Sequence, residues 1–230
     1  MRDTMHFTRT IGSLALLIFL GGCASDMTGV ISSDVAAFRR IESSKGAIPD
    51  QALRDAKAVA IFSTTQAGLI IGGKGGDGLF VKRLDDGWSA PLAIDLIEGS
   101  IGLQIGAQNE DIVYVFTTDE SVRRFLDEGR YAVAQMSGSF GENSGQANGT
   151  DLPTDPVTIY NRTSGVYGGM VLGGKGFAID EELNRKTYGT DVTTDQIVSG
   201  KVTPPPGTSV LWKLLETGNG DHHATGHADN

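Results

Sequence analysis

Thiol and imidazole are almost missing from this sequence, and that scarcity excludes several chemistries. Cys23 is the single cysteine in 230 residues, and the four histidines are His6, His222, His223 and His227. The stretch from residue 24 to 221 holds neither type, so disulfide bridging is ruled out. Ser-His-Asp and Cys-His catalysis in the body of the chain go with it, as do zinc sites built on imidazole or thiolate. His222, His223 and His227 could chelate a transition metal weakly. Residues 217–230, however, contain no apolar side chain larger than alanine and read as a solvated, disordered tail.

Basic charge is also short. Nineteen Lys and Arg face 28 Asp and Glu, a formal net charge of −9. That balance argues against nucleic-acid binding, which needs a basic footprint, and against generic attraction to anionic lipid. A long hydrophobic run is lacking too. The apolar segment at 11–20 is half the roughly 20 residues that a spanning helix requires. Nor is there a Walker A loop, because glycines 75 and 176, not Ser or Thr, follow the lysines of the two Gly-Gly-Lys segments. No cofactor is expected.

What is present begins at the N-terminus. Arg2 and Arg9 precede the apolar segment, which fits the basic and hydrophobic regions of an export signal over residues 1–22. Leu20-Gly21-Gly22-Cys23 then resembles the lipobox of bacterial lipoproteins. The resemblance implies that Cys23 becomes a lipid-bearing N-terminus with diacylglycerol and palmitate-type acyl chains, two or three of which anchor stably. Ala24 is not the aspartate that commonly retains lipoproteins in the inner membrane, so the periplasmic face of the outer membrane is favoured. Without Arg2, Arg9 and Asp3 the mature chain has 17 basic and 27 acidic side chains, formally −10.

Residues 23–33 read as a tether, and Ser33 as the cap of a helix from Asp34 to about Ser44 with Val35, Phe38 and Ile41 on one face. A second helix is expected from Pro49 or Asp50 to about Ala56. From residue 58 the pattern becomes short Ile/Val/Leu-rich segments punctuated by Gly, Asp and Asn. Strands are predicted at 58–63, 68–73, 78–84, 92–97, 100–108, 112–117, 131–140, 157–162, 165–172 and 176–179. Asp85-Asp86-Gly87 makes a hairpin turn. Thr118 or Asp119 caps a helix reaching Glu128, 142–156 is a surface loop, and helices follow at 194–198 and 208–216. The fold class is α+β: a strongly curved, barrel-like antiparallel sheet with a few peripheral helices, its curvature permitted by 32 glycines. One domain over residues 34–216 accounts for the body of the chain.

One motif occurs twice. Residues 68–75 (Gly-Leu-Ile-Ile-Gly-Gly-Lys-Gly) are echoed at 169–176 (Gly-Met-Val-Leu-Gly-Gly-Lys-Gly). Two readings stand: equivalent strand-to-turn corners, or a pair of Gly/Lys loops around one ligand site.

Taken in order, several blocks resemble the SYLF domain family, the lipid-binding module of fungal and animal actin-patch adaptors and of many bacterial lipoproteins. They are Ala56-Lys57-Ala58-Val59-Ala60-Ile61-Phe62, Gly72-Gly73-Lys74-Gly75, Gly87-Trp88-Ser89-Ala90-Pro91, the run Gly99-Ser100-Ile101-Gly102-Leu103-Gln104-Ile105-Gly106-Ala107-Gln108, and Tyr160-Asn161-Arg162-Thr163-Ser164-Gly165, with Asn184 and Tyr188-Gly189 beyond. The resemblance covers roughly residues 35–215. It implies phospholipid or phosphoinositide binding, an amphipathic N-terminal helix in membrane contact and, for fungal members, actin binding, a partner absent from the periplasm. Where the family tends to show Gly-Pro-x-Gly-Arg, this chain has Gly138-Ser139-Phe140-Gly141-Glu142, an acid in place of a base.

The residues nominated for lipid contact are Arg39, Arg40 and Lys45 on or after the first helix, Lys74 and Lys175 in the repeated motif, and Trp88, beside Cys23 as the attachment point. For the helix, a docked core element is the alternative to an interfacial one; for Trp88, a core anchor is the alternative to a stacking surface. Asp95 with Glu98, or Glu110 with Asp111, could act as an acid–base pair, although Glu110-Asp111 reads as a solvated turn. The expected function is therefore a non-catalytic, membrane-anchored lipid-binding domain, with a periplasmic protein-interaction scaffold as the alternative.

Overall fold

The computed structural model describes residues 26–44, 47–68, 71–128, 133–140 and 157–217. Cys23, Lys45, the export signal, the 142–156 loop and the C-terminal tail lie outside these residues. The chain is α+β: among the described residues six helices accompany an antiparallel sheet of six strands in the order β3-β2-β1-β4-β6-β5.

Helix α1 spans Met27–Glu42, so the residues read as a tether are largely helical. Asp26, not Ser33, is the cap: its carboxylate accepts the Gly29 amide proton at 2.7 Å. Starting there lets Met27, Val30 and Ile31 join Val35, Phe38 and Ile41 on one buried stripe. Helix α2 is Asp50–Asp55.

The strands are longer and fewer than the glycines suggested. Strand β1 is Ala58–Gly68, β2 Ile71–Leu84, β3 Gly87–Trp88, β4 Leu92–Phe116, β5 Val133–Phe140 and β6 Val157–Ile179. Asp85 and Asp86 close the β2–β3 hairpin as expected. Glycines predicted to end strands instead lie inside them, and Gly78 shows why. A Cβ there would stand 2.3 Å from the Ile61 carbonyl oxygen and from Phe62 Cδ1, so only glycine lets β1 and β2 approach. Both Gly-Gly-Lys-Gly segments are likewise strand interior, not corners.

Strand β4 organises the sheet. Along one edge it pairs with β6, from Ile94 opposite Ile179 to Phe116 opposite Val157. Along the other it meets β2 with residues 92–101 and β1 with residues 106–116, so it borders both arms of the β1–β2 hairpin. The sheet does not close into the expected barrel. Among the described residues β3 and β5 each pair on one side only, with β2 and β6, and leave two edges.

Strand alternation sorts the side chains onto two faces. Val59, Ile61, Leu79, Val81, Ala93, Val113 and Val115 face α1 and cluster with buried residues of α1, α2 and α6. The opposite face is aromatic: Phe62, Phe80, Tyr114, Phe116 and Phe177, sealed by Phe125 of α3 (Asp119–Glu128), which stacks on Phe80 at 5.0 Å between centroids. Ile197 and Val198 of α5 (Thr194–Val198) complete it. The remaining helices are α4 (Glu181–Tyr188), which the sequence reading missed, and α6 (Thr208–Thr217).

Candidate functional site

The Trp-Ser-Ala-Pro block is a fastening. The Ser89 backbone N–H donates to the Lys82 carbonyl at 2.8 Å, and the Ser89 hydroxyl accepts the Lys82 amide proton at 3.0 Å. Trp212 Nε1 of α6 donates to the Ser89 carbonyl at 2.9 Å. Tyr188 of α4 donates its phenolic proton to the Pro91 carbonyl; burial pushes that phenol up. Asn184, one turn earlier, exchanges two hydrogen bonds with the Ala93 backbone, at 2.9 and 3.0 Å. Trp88 is 4 % exposed, with the Arg83 guanidinium 4.0 Å from its ring centroid. Arg83 in turn donates to the Ala56 and Leu53 carbonyls at 2.8 and 2.6 Å, capping α2. Its burial lowers its pKa. Trp88 is thus a core anchor with no face left for a ligand, which corrects its nomination as a lipid contact.

The basic cluster on α1 divides. Arg39 is exposed. Arg40 is not free for a head group, because it forms a bidentate pair with Asp111 of β4, both contacts at 2.7 Å. The Asp111 side chain is only 7 % exposed, and its hydrogen bond raises the Arg40 pKa. Asp111 is therefore no turn residue, and neither is Glu110, whose carboxylate accepts from Asn161 Nδ2 at 2.7 Å.

Asp34 is the unusual group of this seam. It sits fully buried in the apolar stripe of α1, with no hydrogen-bond partner of good geometry for either carboxylate oxygen. Burial, aided by Asp77 and Asp111, raises its pKa well above the ordinary range. The Leu79 amide and Arg40 pull the other way and do not prevail. Beside it a cleft of about 270 Å³ opens between Gly29, Val30 and Ser33 of α1 and Ser63 and Asp77 of the sheet. Its lining has hydroxyls and a carboxylate but no cation, so it offers nothing to a phosphate.

Asp95 stands opposite Asp77 in the β2–β4 register. Burial first, then Asp180 and Asp77, raises its pKa to about 6. The two nominated acid–base pairs do not converge, because positions 95 and 98, and positions 110 and 111, fall on opposite faces of one strand.

Lys74 and Lys175 are brought together by register. Both stand opposite Glu98, so Lys74, Glu98 and Lys175 form one row across β2, β4 and β6. The row belongs to the aromatic face, two residues beyond the Leu96–Phe177 pair. The internal echo thus reflects two strands that flank the same stretch of β4. Arg83, Asp34 and Asn184 were not nominated from sequence, and Asp111 was nominated only as half of a carboxylate pair. Asn184 and Tyr188 were within reach, since Asp180, Glu181-Glu182, Arg185-Lys186 and Gly189 spell a capped helix.

The family model described as Ysc84, Las17-binding protein actin regulator, matches residues 97–218. Protein YSC84 of Saccharomyces cerevisiae is 32 % identical over 189 residues, covering 80 % of this chain and 40 % of its own length. LAS seventeen-binding protein 3 of the same yeast is 32 % identical over 176 residues, 74 % of this chain and 38 % of that protein. The human SH3 domain-containing YSC84-like protein 1 is 30 % identical over 175 residues, 74 % and 51 %. The chain therefore spans about two fifths to one half of these relatives. No solved structure matches. With the family model covering more than half of its length, the chain belongs to the Ysc84 family, the SYLF-domain proteins.

Proposed function

We propose that this chain is a non-catalytic lipid-binding module of a bacterial envelope, tethered by acyl groups on Cys23 to the periplasmic face of the outer membrane. The observation that carries the reading is where α1 begins. Its cap, Asp26, follows Cys23 by three residues, a link of at most about 10 Å. A body fastened so closely to an anchor keeps one side apposed to the bilayer. Among the described residues no helix is long and apolar enough to cross a membrane, which is compatible with attachment through Cys23. Catalysis is left out because the two nominated carboxylate pairs are split between faces.

Vesicle flotation of the chain from residue 23 with Cys23→Ser tests the lipid-binding part. Binding without the acyl chains is expected, and failure to float with either neutral or anionic phospholipid vesicles would overturn it. Mass spectrometry of the protein from its native host tests the anchor, for which an unmodified Cys23 thiol is the contrary result.

The names of the yeast relatives favour a second reading, a protein-interaction scaffold, since LAS seventeen-binding protein 3 is named for a protein partner. Crosslinking and pull-down from envelope fractions separates the two. A stoichiometric partner together with no affinity for vesicles supports the scaffold.

A further inference from the structure

We infer that α1 is a proton-operated latch, seated firmly on the sheet while Asp34 is protonated and loosened when Asp34 gives up its proton. The inference concerns the helix itself and holds whatever the domain binds.

The interface under α1 is apolar apart from one clasp and one acid. Met27, Val30, Ile31, Val35, Phe38 and Ile41 are all buried in the cluster that α1 shares with the sheet. Seated in this way, the helix shows none of its apolar stripe to its surroundings. The clasp is Arg40 with Asp111. The acid is Asp34, in the middle of the stripe, fully buried and with no well-formed hydrogen bond to either carboxylate oxygen. An ionised carboxylate there loses its hydration and recovers little in return, a penalty that the protonated form escapes.

The charged groups nearby deepen that penalty. Strands β1, β2, β4 and β6 and helices α4 and α6 pack against α1. On the α1 face β2 contributes Asp77, β4 contributes Asp95 and Asp111, and β6 contributes Tyr160 and Arg162, opposite Val113 and Asp111. Arg83 of β2 is committed to the Leu53 and Ala56 carbonyls, and β1 brings the uncharged Ser63 opposite Asp111. Glu181, Glu182, Arg185 and Lys186 of α4 are exposed, as are Lys213 and Glu216 of α6. On α1 itself Arg39 is exposed and Glu42 accepts the Ile48 amide proton. Asp77 and Asp111 repel a negative charge on Asp34, whereas Arg40, already bound to Asp111, and the Leu79 amide favour it; burial outweighs them all.

Ionised Asp34 therefore needs water, and lifting α1 supplies it. The helix can lift without dissolving the rest, because the aromatic core on the other face contains no α1 residue, and partial openings of this kind are ordinary in folded proteins. In the lifted helix Asp34 regains its ordinary value of 3.8, whereas in the seated helix it titrates well above that. Between the two values the seated state holds one proton more. Docking is thus tightest in acid, weakens by up to about tenfold for each pH unit above roughly 4, and levels off once the seated value is passed.

Hydrogen–deuterium exchange of the chain from residue 23 carrying Cys23→Ser tests this at pH 5, 6 and 7, with each rate divided by the intrinsic rate at that pH. Amides of residues 31–41 report on the latch and those of residues 59–62 on the sheet. The expected result is α1 protection roughly tenfold or more below that of β1 at each pH, falling about tenfold from pH 5 to pH 6. Asp34→Asn, which cannot ionise, should hold α1 protection constant within about twofold over the same range, and Asp34→Ala should do so if the asparagine variant fails to fold. Equal protection of α1 and β1 at every pH means that helix and sheet open only together, which overturns the latch. A flat α1 profile in the protein that retains Asp34 also overturns it, because water in the cleft beside Ser33 and Ser63 then hydrates the seated carboxylate. So does a pH-dependent profile that survives both Asp34→Asn and Asp34→Ala.

Discussion

The two ends of the sheet are built on opposite principles. At the end covered by helices, large side chains interlock and polar side chains clasp across elements, with the buried Asp34 as an exception: Phe62 meets Tyr114 and Phe177, Arg40 holds Asp111, and Asn184 holds Ala93. At the distal end glycine crowds the register: Gly73, Gly99 and Gly174 share one row, and Gly75 and Gly176 flank Ile97. The comparison teaches that the Trp-Ser-Ala-Pro block belongs to architecture.

The largest test of that contrast is Phe62→Ala. Its ring is fully buried, and truncation should cost about 3–5 kcal/mol in urea melts. Next comes Gly78→Ala, whose methyl would meet the Ile61 carbonyl oxygen at 2.3 Å, whereas at Gly75 the nearest atom is the Leu96 carbonyl oxygen at 3.8 Å. A penalty of about 2–3 kcal/mol is expected at 78 and within about 0.5 at 75. Arg40→Ala, which strands the Asp111 carboxylate, should cost about 2 kcal/mol, and α1 amides should then exchange faster with solvent.

A smaller effect depends on pH. Asp95 has an ordinary value of 3.8 and a folded value of about 6. Between these values the folded state binds more protons than the unfolded chain, so stability falls as pH rises from about 4 to 6 and levels off above. The fully buried Asp34 acts in the same sense. Because Asp95 is only half-buried, water screens much of the effect. Asp95→Asn should raise stability at pH 7 by about 1 kcal/mol and flatten the profile, as chemical melts at pH 4.5 and 7 would show.

Much of the fold was readable before any coordinates, because period-two patterning and capping residues act locally. The β2–β3 turn, α3, α5 and α6 came out where their signals lie. The failures share a cause. Glycine was treated as punctuation, yet at Gly78 it serves close strand approach, so segments that looked separate fused into β4 and β6. Asp34 was taken as an acid in a first helical turn, whereas it lies within a stripe already begun at Met27. Arg40 looked available because its pairing with Asp111 links residues 71 apart in sequence, and Trp88 because Arg83 reaches its ring only through the register of the β2–β3 hairpin. The juxtaposition of Lys74 and Lys175 was hinted at by the echo, but its position opposite Glu98 required the register.

The reach of β4 also dictates a schedule. The β1–β2 hairpin can zip as soon as its own two arms exist, since Gly68 and Gly72 are near neighbours. The outer edge of β4 must wait for β6, whose Ile179 pairs with Ile94 across 84 residues of intervening sequence. Closing so long a loop is slow. A nascent or stalled chain ending before residue 157 would therefore carry a long unpaired strand edge, the kind of template on which aggregation starts.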